Sequence, residues 1–328
     1  MNFKKIICIG DLNADLLVPY GEAKRLRQEA EKGKAVRPAR VVLQSGGTMG
    51  NVCSVLGRLG DHPYFVTDLC ADAIGRFLRQ DLEAQGVDFS FSVCGDNQTI
   101  VCIAVLENGE RLILPWLPPQ AELPRFRAKQ FAKAPREDVL LVSSGMILTN
   151  DEETMRAVVG FIEEMKRMTA SRFLFDLNLR AESYGLNAAR REAYTRLIAC
   201  SDVLLGSGIE EFGPLTEETD LRRAAERLAD GKRAVIARNG KEATFVVQRG
   251  QVTIVEPETV KVVSTLGAGD TFDAAFVHAY RKGESIVSAV RYATHAAGYM
   301  ISHAGHLCLP EDESVPTKDE SVSTADFC

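Results

Sequence analysis

The chain has 328 residues, of which 45% are hydrophobic and 26% charged, with a formal net charge of −6. That balance is ordinary for a globular protein; it offers no general attraction to nucleic acid or anionic membrane, and no stretch approaches the ~20 apolar residues of a membrane helix. The eight cysteines, Cys8, Cys53, Cys70, Cys94, Cys102, Cys200, Cys308 and Cys328, form no Cys-x-x-Cys pair and no Cys/His group at zinc spacing, so free thiols in a reducing cytoplasm are expected.

Along the chain, Ile6–Ile9 follows two lysines and is interrupted by Asp11, too short a run for a signal peptide, and reads as a first strand. Residues 16–45 and 89–117 break the pattern that follows. In the second of these, Asn108-Gly109 lies between apolar runs, a hairpin signal. The two stretches read as insertions that meet in a small β-sheet, serving as a substrate lid or as a decorative or dimerising sheet; Lys24–Arg40 within the first reads as a solvated loop or short helix. Val139–Val142, Phe173–Phe175, Val203–Leu205 and Ala234–Ala237 read as buried strands. Between them, Thr154–Met168 carries Met155, Val158, Val159, Ile162 and Met165 at helical spacing, and a second helix runs over Leu221–Leu228. Alternating strands and helices require a mostly parallel sheet with helices on both faces, and such sheets bind ligands at the carboxyl ends of their strands. Residues 1–310 are therefore expected to form one α/β domain with two lid insertions. The acidic, polar residues 311–328 are expected to be a disordered tail.

The richest chemistry lies at Val262–Phe276. Val262-Val263 reads as the end of a strand, Ser264–Gly269 as a tight turn, and Phe272, Ala275 and Phe276 as the start of an amphipathic helix. Unpaired amides of Gly267, Ala268 and Gly269 at a helix N-terminus form an anion hole, with small side chains that let a phosphate reach the backbone. Asp270 beside it can take the proton of an attacking hydroxyl. The same four residues also serve as a flexible turn with an N-capping aspartate, and the segment alone leaves both readings open.

This segment resembles the Asp-Thr-x-Gly-Ala-Gly-Asp motif of the ribokinase/PfkB family of carbohydrate and nucleoside kinases, and further motifs of that family follow in order. Gly10-Asp11-Leu12-Asn13-Ala14-Asp15 resembles the first-strand motif, which implies that Asn13 and Asp15 bind substrate hydroxyls. Gly46-Gly47-Thr48-Met49-Gly50-Asn51 resembles the diglycine hinge between lid and body, with Gly46, Gly47 and Asn51 at the substrate. Asp176-Leu177-Asn178-Leu179-Arg180 is similar to the phosphate-edge segment and assigns Asn178 and Arg180 to the nucleotide. Ser207-Gly208-Ile209-Glu210 resembles Asn-x-x-Glu, which organises magnesium and phosphates; Glu210 is the implied carboxylate, acting through water, and Ser207 replaces the Asn. Gly240 lies in the turn beneath the nucleotide, Thr265 precedes the anion hole, and His295 is on the helix near the adenine.

The resemblance implies a ribokinase-like fold, ATP and Mg²⁺, a small sugar-like acceptor, a cytoplasmic location and a homodimer through the lid sheets. Ser264 stands where the family usually has an Asp that helps hold an activating monovalent cation, so that dependence is not implied. A nucleoside kinase of the same fold is the alternative, with Trp116 and Phe91 as platforms for the base; a catalytically silent sugar- or nucleotide-binding regulator is the alternative of another class. Sugar phosphates are disfavoured because the substrate motifs hold no basic residue, leaving only Arg37, Arg40 or Arg111 to reach from the lid. There is no P-loop, His-Glu-x-x-His or Gly-x-Ser-x-Gly segment.

Overall fold

A computed structural model describes residues 3–95, 97–107, 110–116, 126–149, 151–303 and 305–310, with backbone only for 106–107 and 110–116. The Asn108-Gly109 turn and the 311–328 tail lie outside these residues. The strands are β1 (Ile6–Ile9), β2 (Asn13–Val18), β3 (Val42–Gly46), β4 (Tyr64–Val66), β5 (Asp68–Cys70), β6 (Val93–Gly95), β7 (Val101–Glu107), β8 (Glu110–Trp116), β9 (Leu140–Ser144), β10 (Arg172–Asp176), β11 (Val203–Ser207), β12 (Ala234–Asn239), β13 (Glu242–Gln248) and β14 (Gln251–Val255). The helices are α1 (Tyr20–Glu31), α2 (Thr48–Arg58), α3 (Ala73–Ala84), α4 (Glu152–Met168), α5 (Ala181–Tyr184), α6 (Ala188–Cys200), α7 (Gly208–Thr216), α8 (Leu221–Ala229), α9 (Ala268–Arg281) and α10 (Ile286–Ser302).

The main sheet has the order β14-β13-β12-β11-β10-β9-β1-β4 and is parallel from β12 to β4, with β13 and β14 antiparallel at one edge. Its apolar runs are continuous because both faces are covered. Ile6 and Cys8 point into a core shared with α2, α9 and α10, while Ile7 and Ile9 enter a second core with α4, α6 and α8. Helix starts are fixed locally: Asp151 accepts the Thr154 amide at 2.8 Å, and Asn187 and Asp220 cap α6 and α8 in the same way.

The small sheet has the order β3-β2-β7-β8 and draws on both expected insertions. Two details differ from the sequence reading. Residues 89–95 do not join it; β6 pairs in parallel with β5 in a separate two-stranded sheet. Val262-Val263 is not a strand: the amides of Val263 and Ser264 both bond the Ile301 carbonyl at the end of α10, at 2.7 and 3.2 Å. That helix end takes the place of a neighbouring strand, and the two valines stay more than half exposed.

Candidate active site

The first group of candidate side chains is built where β1 hands the chain to β2. Asp11 leaves the sheet and accepts the amides of Thr48 and Met49 at 2.8 and 3.3 Å, capping α2 from 37 residues away. Asn13 pairs with Gly46 across β2 and β3, and its Nδ2 donates to Asp15 Oδ1 at 2.7 Å. Burial pushes the Asp15 carboxyl up to about 6; the Asn13 bond opposes this and the Asp11 charge adds to it. A Cβ on Gly46 would overlap the Asp15 carboxyl. One on Gly47 would lie 2.9 Å from Asn13 Oδ1, at a φ of +87° that already favours glycine. The diglycine thus lets the lid strand press onto the polar pair.

One turn into α2, Asn51 Nδ2 donates to Asp270 Oδ2 at 2.6 Å, and Asn51 Oδ1 is buried with no partner among the described residues. Asp270 lies in the first turn of α9, which starts from Gly267 in the left-handed region at φ +83°. The first amides of a helix have no intrahelical acceptor. Ala268 N–H finds Thr265 O at 3.3 Å and Thr271 N–H finds Gly267 O at 2.8 Å, whereas those of Gly267, Gly269 and Asp270 have no acceptor among the described residues. Burial raises the partly exposed Asp270 carboxyl to about 7. The Asn51 bond pulls it down, Asp11 and Asp176 push it further up, and Arg238 opposes them. A carboxylate with that acidity beside free amides can accept a proton while a phosphoryl group is held against the helix end.

Next to this turn is a cavity of 570 Å³. Its walls include Gly240 and Lys241 in the β12–β13 turn, Val260 and Val262 after β14, and Ala297 and Ile301 on α10, with Gly269 at its inner end. Its lining is both polar and apolar, which suits a ligand that carries a phosphate and an apolar part.

The profile of the pfkB family carbohydrate kinases matches residues 4–312. The chain belongs to that family. As a PfkB kinase it is a phosphotransferase with a sugar hydroxyl as acceptor. It is 26% identical to a 5-dehydro-2-deoxygluconokinase of Clostridium tetani over 84% of this chain and 82% of the relative. It is 27% identical to a ketohexokinase of Mus musculus over 91% and 96%. In fold it is similar to the fructokinase of Xylella fastidiosa with bound ATP, with a TM-score of 0.76 and 21% identity over 93% and 94% of the two chains. Aminoimidazole riboside kinase from Salmonella enterica gives a TM-score of 0.73 at 23% identity over 93% and 96%.

Most of the residues that the sequence singled out come together in two groups. Asn13, Asp15, Gly46, Gly47, Asn51 and Asp270 meet around the start of α2, while Ser207, Gly240, Thr265, Ala268 and Gly269 line the cavity. Asn178, at φ +33°, donates to Thr48 Oγ1 at 3.0 Å, and Arg180 Nε donates to Asn178 Oδ1 at 2.8 Å with its own surface exposed; neither residue lines the cavity. His295 is not among the lining residues; it bonds Glu258 at 2.9 Å, and Glu258 is the one that faces the cavity. Glu210 is exposed, folded back over the N-terminal Gly208 of α7. Ser264 Oγ accepts the Leu266 amide at 3.3 Å and serves the turn.

Three contributors escaped the sequence reading. Asp11 acts as a long-range cap, which no local spacing reveals. Glu211 is the buried neighbour of Glu210: its Oε2 accepts the Ser207 amide at 2.9 Å, and burial with the Asp176 charge raises it to about 7. Arg238 is a charged residue at the end of an apolar strand, a mismatch that is itself a signal. Phe91 is withdrawn as a base platform, because it stacks on Tyr64 at 4.5 Å against the second core. The Trp116 and Arg111 side chains lie outside the described residues, and Arg37 and Arg40 are exposed. No described helix is long and apolar enough to cross a membrane.

Proposed function

We propose that this PfkB kinase transfers the terminal phosphoryl group of ATP to a hydroxyl of a small, unphosphorylated sugar or sugar acid, with Asp270 as the base. The observation that carries the reading is the Asp270 carboxylate, fixed by Asn51 at 2.6 Å and raised to about 7, next to the free amides of Gly267, Gly269 and Asp270. Asn13 and Asp15 would orient the sugar hydroxyls, and the unpartnered Asn51 Oδ1 can accept one more. The sugar oxygen attacks the terminal phosphorus as its proton passes to Asp270, the bond from that phosphorus to the bridging oxygen breaks, and ADP leaves. The helix-end amides would stabilise the charge on the transferred oxygens, and closure of the β2-β3-β7-β8 sheet would exclude water.

The nucleotide would occupy the 570 Å³ cavity, and Asn178 and Arg180, which lie beside Thr48 and outside its lining, would meet the phosphates beyond it. Magnesium, when bound, would neutralise the phosphates. The exposed Glu210 at the start of α7 suits an ion that arrives on ATP and keeps its own waters, and Glu210 would hold it through one of them. Ser264 offers no carboxylate, so no monovalent cation is part of the proposal. Two copies would associate through the small sheets.

An ATP-coupled screen over pentoses, hexoses, keto-deoxy sugar acids and nucleosides tests the acceptor class. Asp270→Ala is expected to lower turnover by roughly 10²–10⁴-fold while ATP still binds; near-normal turnover would remove Asp270 as the base.

A further inference from the structure

Arg238 ends β12 with its side chain 10% exposed, packed over the Phe272 ring at 5.3 Å. A buried guanidinium is tolerated only when paired and hydrogen-bonded. Four of its five N–H donors are engaged: Nε with Gly206 O at 3.3 Å, Nη1 with Gly269 O at 3.1 Å and Asp273 Oδ1 at 2.6 Å, and Nη2 with Asp176 Oδ1 at 2.7 Å. Those acceptors belong to β11, to the first two turns of α9, and to β10. One planar fork therefore pins the start of α9 to the carboxyl ends of two strands.

The bond to Gly269 O has a directional consequence. That carbonyl shares a planar trans peptide with the Asp270 N–H, and the two point in opposite directions. Holding the oxygen against Arg238 turns the Asp270 amide, one of the unpaired donors, away from the sheet and toward the cleft.

The charge acts as well. Asp270 is faced by Asp11 from the β1–β2 connection, Asp176 from β10, Arg238 from β12 and the Asn51 amide from α2. Burial works against the Arg238 charge, but Asp273 and Asp176, with Glu211 and Asp270, outweigh it and keep the guanidinium protonated.

We propose that Arg238 is a positioning residue for phosphoryl transfer: its fork aims the Asp270 amide at the transferred group, and its charge keeps the Asp270 carboxylate ready to accept the hydroxyl proton. The inference rests on Asp270 being the base.

The test is an NMR titration of the Asp270 carboxyl in ¹³C-labelled protein, assigned by its loss in Asp270→Asn, together with the ¹⁵N–H resonance of Asp270 on addition of the magnesium complex of a non-hydrolysable ATP analogue. Arg238→Gln is expected to raise the Asp270 titration by about one unit or more, and Asp176→Asn to lower it. Arg238→Lys keeps the charge but not the fork, so its carboxyl should titrate near the wild-type value while the amide loses at least half of its response to the nucleotide. If Arg238→Gln does not fold, Arg238→Lys retains the test through the amide response, because it keeps the charge and removes the bond to Gly269 O. An Asp270 titration unmoved by Arg238→Gln, or a full amide response in Arg238→Lys, overturns the proposal. Failure of the base assignment is separate and shows as turnover surviving in Asp270→Asn.

Discussion

With Asp270 as the proposed base, a single carboxyl group sets both the pH dependence of catalysis and part of its cost in stability. Asp270 must be ionised to accept a proton, and burial raises it to about 7. The kcat/KM of the free enzyme should therefore climb tenfold per unit at acid pH and level off near pH 7, a profile measurable with any accepted sugar. For stability the sign reverses. The unfolded carboxyl ionises near pH 4, so between about pH 4 and 7 the folded state holds the extra proton, and stability declines as pH rises through that window. Asp15, at about 6, and Glu211, at about 7, act in the same direction. Asp270→Asn should accordingly raise Tm by about 2–4 °C at pH 8 and hardly alter it at pH 4, as calorimetry would read. Asp270 was legible in the sequence because small residues preceded an amphipathic helix. Its partner Asn51, 219 residues away, was visible only through family resemblance, since no local pattern reports a contact made by tertiary folding.

The elements that carry the site were legible where periodicity and burial agree, and hidden where a ligand surface imitates a core. The runs around β9 to β12 read correctly because both faces of each strand are covered. Val262-Val263 misled because Val262 lines the 570 Å³ cavity, Val263 is exposed, and the backbone bonds go to the end of α10. At α7, Gly208 has φ +68°, and the helix then starts with Glu210 exposed and Glu211 turned inward, a one-residue choice that Glu210-Glu211 cannot signal in sequence. The turn into α9 has a sharper requirement. Gly267 has φ +83°, and a Cβ there would lie 2.6 Å from Leu307 Cδ2. Gly267→Ala should destabilise the protein by about 1–3 kcal/mol in denaturant titration and lower turnover, because relief of the strain tilts the amides of the helix end.

At the scale of the whole molecule, the division into a covered sheet and a projecting sheet decides which surfaces remain available. The main sheet buries its parallel strands between two layers of helices. Among the described residues the small sheet leaves β3 as an open edge, with Val41, Val42 and Leu43 exposed at 53%, 46% and 40%. An apolar edge strand with free backbone groups invites another strand or sheet, and proteins that remain single usually place charge or proline there. Here the three consecutive residues are apolar, and Asn13 on β2 pairs with Gly46 on β3. A second copy covering β3 would bury that apolar surface and steady the strand that carries the substrate residues. The expected mass in solution is therefore twice 35.9 kDa. Val42→Lys places a charge on the edge and should shift the protein toward the monomer in sedimentation, with a raised KM for the sugar if the neighbouring copy steadies the lid. A monomeric wild-type protein at micromolar concentration would show instead that β3 is left open for closure over the chain's own site.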